Sequence, residues 1–180
     1  MSHGPFQAQP TTKAALENVA GQLRQVLGLE KVDFFPVVKV LEFGLPSIFE
    51  NFVFRVKEGP AMGDQHGLTF PDDSEIWLRD DVYEGVTQGK GRDRFTAAHE
   101  IGHLLLHSQR FLSRRMGDQP IRTNCDPEWQ ANCFGGCLLM PAILVKTCKY
   151  IDEVMDRFGV SRDAARHRTK QLNLSMQEVF

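Results

Sequence analysis

Two histidines four residues apart, with a glutamate directly after the first, form the segment His99-Glu100-Ile101-Gly102-His103. On an α-helix a spacing of four displaces two side chains by about 6 Å along the axis and roughly 40° around it, so both imidazoles can converge on one cation. The glutamate between them then reaches a water held by that cation and can serve as a general base. The flanking residues support such a helix, because Ala97, Ala98, Ile101, Leu104 and Leu105 read as a core face while the histidines occupy another. A catalytic zinc site has three protein ligands and an open position for water. A third ligand must therefore come from elsewhere.

His107 lies four residues beyond His103 but two helical turns, roughly 12 Å, from His99, too far for all three to share one ion. The glycine turn that returns a third histidine in metzincins is also missing. A helix-end or supporting role suits His107 better. Cys125, Cys133 and Cys137 are close enough in sequence to be considered as ligands, yet Glu128 is the better candidate, since two histidines and one glutamate are a common catalytic zinc set. The residues alone leave Glu128 open between ligand and surface glutamate. One turn further on, Asn132 could accept a hydrogen bond from the free ring nitrogen of a ligating histidine. Gly135 and Gly136 on the same face each cost a helix about 0.8–1 kcal/mol relative to alanine, which close approach to the histidine helix would explain.

The elements that must position these groups are legible from periodicity and punctuation. Leu16, Val19, Ala20, Leu23, Val26 and Leu27 recur at helical spacing between Thr12 and Leu27, with Gly28 as the stop. A short helix is predicted from Pro36 to Phe43, ended by Gly44. Phe52, Phe54 and Val56 alternate as in a half-buried strand. Leu68 to Phe70 and Ile76 to Leu78 flank a turn-rich Pro-Asp-Asp-Ser and read as a hairpin. Together these give a small antiparallel sheet of about three strands. Tyr83 to Arg92, with Gly85, Gly89 and Gly91, reads as a loop before a helix from about Asp93 to His107. Asp126-Pro127-Glu128 opens another helix that stops by Pro141. Tyr150 to Leu172 reads as two helices broken at Phe158-Gly159-Val160-Ser161.

A chain of 180 residues with 42% hydrophobic and 24% charged residues fits one globular domain with a small appendage. No apolar run approaches the roughly 18 residues of a membrane span, and the N-terminal residues lack a signal-peptide pattern, so the expected location is the cytoplasm with no membrane partner. The cysteines, with Cys148 the fourth, are then expected as buried thiols rather than disulfides. A formal net charge of −2 excludes a generally cationic, nucleic-acid-coating surface. Between Ile151 and Asn173 the bases Arg157, Arg162, Arg166, Arg168 and Lys170 face Asp152, Glu153, Asp156 and Asp163, a local net of about +1 that argues against direct DNA binding.

The segments RFTAAHEIGHLLLH and Glu128-Trp-Gln-Ala131-Asn132-Cys-Phe134-Gly-Gly-Cys-Leu138-Leu139-Met140-Pro141 resemble the ImmA/IrrE family of metallopeptidases. The tail DRFGVSRDAARHRTKQLNL is similar to that family's helix-turn-helix-like extension, and Gly135-Gly136 stand where small alanines are usual. The resemblance implies an α+β, zincin-like core with a small antiparallel sheet and an active-site helix. It divides the chain into a flexible N-terminus at 1–11, a metallopeptidase domain at 12–149 and the extension at 150–180. It implies that His99, His103 and Glu128 hold Zn2+, for which Mn2+ or Fe2+ could substitute, and that Glu100 is the general base. The implied function is regulatory cleavage of a helix-turn-helix transcriptional repressor. The competing expectation is an antirepressor or protein-binding module whose metal is structural. For the oxyanion, Tyr83, Tyr150 and nearby arginines are the candidates.

Overall fold

The structure is a computed structural model, and it describes residues 6–108, 112–114 and 120–177. Its first element is a strand, β1 (Phe6–Ala8), in the segment expected to be flexible, of which residues 1–5 lie outside the described residues. The helix α1 (Lys13–Val26) follows, opened by the Thr12 hydroxyl accepting from the Ala15 amide at 3.1 Å. It is closed by Gly28 at φ +67°. Its buried face is Leu16, Ala20 and Leu23, as the periodicity predicts, but Val26 is exposed and Arg24 is buried instead. The Arg24 guanidinium donates to the carbonyls of Leu138 (2.7 Å) and Val32.

The short helix expected to end before Gly44 runs through it: α2 (Val37–Lys39) continues as a π-helical segment (Val40–Gly44) into α3 (Leu45–Ile48). Burial of Val37, Val40, Leu41 and Leu45 along one side outweighs the weak helix preference of glycine.

The sheet comprises β2 (Val53–Lys57), β3 (Gly67–Phe70) and β4 (Glu75–Arg79), with a helical turn α4 (Gly59–Met62) between the first two. The strand order is β2-β4-β3. The hairpin β3–β4 is antiparallel as expected, but β2 runs parallel to β4, so the sheet is mixed rather than antiparallel. The reason is the length of Glu58 to His66, which carries the chain across to the far edge, so that the short Pro71–Ser74 link returns β4 between its partners. Ile76 and Leu78 on the central strand are fully buried.

The stretch from Tyr83 to Arg92 expected as a loop is helical at both ends: it starts inside α5 (Asp80–Thr87) and its last two residues begin the next helix. Val82 and Val86 bury the inner face of α5, and Gly85 sits inside it because a Cβ there would fall 1.8 Å from Asp93 Oδ2. Gly89, at φ +77°, is the actual stop. Next comes α6 (Gly91–Leu106), which carries the histidine motif. Strand β5 (Leu112–Arg114) pairs antiparallel with β1, and α7 (Pro127–Leu139) begins at the predicted cap, with Asp126 accepting from the Glu128 amide at 3.0 Å.

Helices α6 and α7 cross through small residues. A Cβ on Gly102 would lie 3.1 Å from Ala131 Cα, and one on Gly135 would lie 3.3 Å from the His99 amide nitrogen. A short α8 (Ala142–Val145) leads to α9 (Ile151–Phe158) and α10 (Arg162–Gln171), separated at Gly159 (φ +60°) and capped at Ser161 as predicted. This pair does not hang free. Arg94 of α6, itself buried, donates to the carbonyls of Gly159 (2.9 Å), Phe158 (3.2 Å) and Phe35 (3.0 Å), satisfying acceptors that the end of α9 would otherwise leave unpaired. Among the described residues no helix is long and apolar enough to cross a membrane.

Candidate metal centre

Residues on α6 and α7 meet on one side of the helix crossing. His99 Nε2 and His103 Nε2 are 2.9 Å apart, and the Glu128 carboxylate lies 3.4 Å from the first and 3.3 Å from the second. A tetrahedral zinc with bonds of about 2.0–2.1 Å would separate its ligands by about 3.3 Å, so the spacing and chemistry of this donor set fit a divalent cation.

The second nitrogen of each ring is held, and the partners fix the tautomers. His99 Nδ1 is 3.0 Å from Asn132 Oδ1, an acceptor, so the ring carries its proton there and turns the Nε2 lone pair to the cluster. For His103 the chain is longer. Gln130 Nε2 donates to the carbonyls of Gln9 (2.8 Å) and Asn124 (2.9 Å), which leaves its Oε1 to accept from His107 Nε2 at 3.1 Å. Burial, reinforced by His103, lowers the His107 pKa to about 4, so the ring is neutral and its Nδ1 accepts from His103 Nδ1 at 2.8 Å. His103 Nε2 then also faces the cluster unprotonated. His107 is thus a supporting residue, in keeping with the sequence, and Gln130 is a further support that no motif or spacing singles out.

Two lone pairs and a carboxylate aimed at one point require positive charge. The two imidazoles hold the Glu128 carboxyl well below the usual carboxylate range. Burial opposes a charged His99, but Glu128, Glu100 and Asn132 outweigh it and raise its pKa. Both shifts express the same demand, which a divalent cation meets more fully than a proton.

Glu100 is buried and lies beside β3. Its Oε2 accepts from the Thr69 hydroxyl at 2.6 Å, and a Cβ on Gly67 would come within 2.7 Å of its Cγ. Gly67 is therefore the clearance that lets the strand pass the carboxylate. A cleft of about 250 Å3 opens here, lined by His66, Gly67, Phe95, His99, Glu100 and Asn132. Sequence reasoning misses Thr69, Gly67 and His66. Their only signal is position, at the end of a glycine-containing loop and the start of a strand. Tyr83 and Tyr150 are not brought to this cleft. The Tyr83 hydroxyl instead donates to Glu42 at 2.6 Å, and Tyr150 is exposed at the start of α9. Cys133, Cys137 and Cys148 are buried thiols, Cys125 is partly buried, and all four are free.

The IrrE N-terminal-like domain of the M78 peptidases matches residues 53–170, well over half of the chain, and the protein belongs to that family. A solved structure of a Mycobacterium tuberculosis transcriptional regulator has a similar fold, with a TM-score of 0.58 at 15% identity, over 87% of this chain and 46% of that one. The chain thus spans less than half the length of that regulator. No curated protein matches it significantly.

Proposed function

We infer that the chain is a zinc-dependent endopeptidase acting on a protein regulator, with His99, His103 and Glu128 holding the metal and Glu100 as general base. The observation that carries this reading is the convergence of those three donors within 4.8 Å of one another, next to a buried carboxylate in an open cleft. Zinc bound there would supply a Lewis acid, polarising the scissile carbonyl and lowering the pKa of a water from 15.7 to about 7. Thr69 occupies one oxygen of Glu100, leaving Oε1 to take the proton of the attacking water and to return it to the amide nitrogen as the C–N bond breaks. Asn132 and the His107–Gln130 pair keep both imidazoles oriented. The outer edge of β3 is unpaired among the described residues, which suits an extended peptide laid beside Glu100.

The regulatory setting rests on family membership and on a structural neighbour that is a transcriptional regulator. We take 12–149 as the metallopeptidase domain and 150–180 as a helix-turn-helix-like extension that docks protein rather than DNA. In support, Arg157, Arg162 and Arg168 are paired with Asp33, Asp152 and Glu17. The preferred substrate is a helix-turn-helix repressor. Incubating the zinc-loaded protein with the repressor encoded beside its gene and with casein, against Glu100→Gln, tests the proposal. Repressor cleavage that Glu100→Gln abolishes is expected. Loss of repressor function that survives Glu100→Gln would favour the non-cleaving antirepressor. Efficient casein digestion without preference would leave a general peptidase.

A further inference from the structure

Glu128, Asn132 and Gly136 form a single stripe on α7 at a spacing of four. The first two flank the metal cluster, and the third lies four residues, about 6 Å, beyond Asn132 along the helix. Its neighbour Gly135 is explained by the closeness of the His99 backbone, but Gly136 is not: it is buried, yet a Cβ there would have nothing within 4 Å. It has helical backbone that any residue adopts, so the glycine costs helix stability without relieving a clash.

The space above it is a cavity of about 530 Å3, within the range of ligand pockets, which Glu128 and Asn132 also line. Phe95 of α6, Trp129 and Cys133 of α7, Met140 just after α7, and Ala164 of α10 give it apolar walls. The polar groups of α10 around it are engaged, His167 with Gln171 at 2.9 Å and Arg168 with the Met140 carbonyl at 2.9 Å. Phe95, Thr96 and Asn132 are common to this cavity and to the Glu100 cleft, so the two adjoin.

We propose that this cavity receives a large aliphatic or aromatic side chain of the protein substrate, adjacent to the bond that is cut, with Gly136 as its floor and α10 as its far wall. The inference rests on the peptidase reading and adds its specificity: the C-terminal helix selects sequence at the site itself as well as docking a partner. Glu128 belongs both to the donor cluster and to the cavity wall, so a chain held across His99, His103 and Glu128 runs beside the cavity. Burying an isobutyl group is worth about a ten- to hundredfold gain in affinity.

The test uses the zinc-loaded full chain and two zinc-binding probes, acetohydroxamate and 4-methylpentanohydroxamate, with binding read by calorimetry and by tryptophan fluorescence, to which Trp129 in the cavity wall contributes. The longer probe is expected to bind about tenfold or more tightly than the shorter. Gly136→Leu, which has room for its side chain, should bring that ratio close to one at undiminished zinc content. Ala164→Leu fills the cavity from the opposite wall and should do the same if Gly136→Leu fails to fold. Acetohydroxamate binding with no gain from the isobutyl group, or an equal gain in the filled variants, overturns the pocket alone. Failure of acetohydroxamate to bind overturns the zinc reading and the pocket with it.

Discussion

Replacing Arg94 by methionine tests how the C-terminal helices are tied to the metal helix. The guanidinium is buried, lies 3.6 Å over the Phe34 ring, and donates to three carbonyls at 2.9–3.2 Å. Two of these, Phe158 and Gly159, are at the C-terminal end of α9, where no intrahelical donor is available. Leaving a buried acceptor unsatisfied costs about 1–3 kcal/mol; the Phe35 carbonyl keeps the Val37 amide at 2.9 Å, so the two at the end of α9 give a gross loss of about 2–6 kcal/mol. Part of this is offset, because burial of the guanidinium is itself unfavourable and lowers its pKa to about 10. A net loss of about 3 kcal/mol is expected, which for a chain of this size is a fall in Tm of about 6–12 °C. Arg94→Lys keeps the charge but not the forked geometry and should lose about half as much. Thermal denaturation gives the magnitude, and limited proteolysis gives the location, with new cleavage expected between Phe158 and Ser161. A shift under about 2 °C with this turn still protected would refute the account of how the tail is held.

Other perturbations follow from the same contacts. Gly135→Val should push the histidine helix off α7, costing about 1–3 kcal/mol and weakening zinc retention, whereas Gly136→Ala meets open space and should stabilise the fold by up to about 1 kcal/mol; urea denaturation of both checks the contrast. His107→Ala removes the acceptor behind His103 without removing a proposed ligand, so zinc should still bind but about 10–100-fold more weakly by chelator competition. Burial alone would raise the pKa of Glu17, but the Ala142 amide and Arg168 outweigh it and hold it below the ordinary 4.5. Its stabilisation is therefore present above that value and lost as pH falls through the lowered one, so Glu17→Gln should be less stable near pH 7 and show a flatter decline below about pH 4.5 in denaturation midpoints.

Where the chain announces its own structure, local chemistry is the reason. Thr12, Asp126 and Ser161 each accept from an amide two or three residues on, and each begins the helix expected there. That Glu128 and Asn132 share a face is legible because a spacing of four on a helix fixes one, whereas the part given to Glu128 comes from the family resemblance. What escapes is decided at a distance. The loop reading of Tyr83 to Arg92 fails because Gly85 answers to Asp93 on the next helix rather than to its own backbone. The parallel pairing of β2 depends on where the intervening segment travels, which alternation cannot encode. Nothing in the local pattern marks Arg24, Arg94 and Arg168 as interior residues, yet each is buried and donates to carbonyls at or near a helix end. Thr69 and Gln130 are invisible for a related reason, since a residue that holds a functional side chain needs only one well-placed polar atom.

We propose that one zinc ion sits among His99, His103 and Glu128. Elemental analysis of the purified chain and of His103→Ala and Glu128→Ala, each reconstituted with zinc and dialysed, addresses it most directly. About one zinc per chain is expected in the parent protein and close to none in either variant, with all three still folded by circular dichroism. Full zinc retention in both variants, or none in the folded parent, would contradict the assignment.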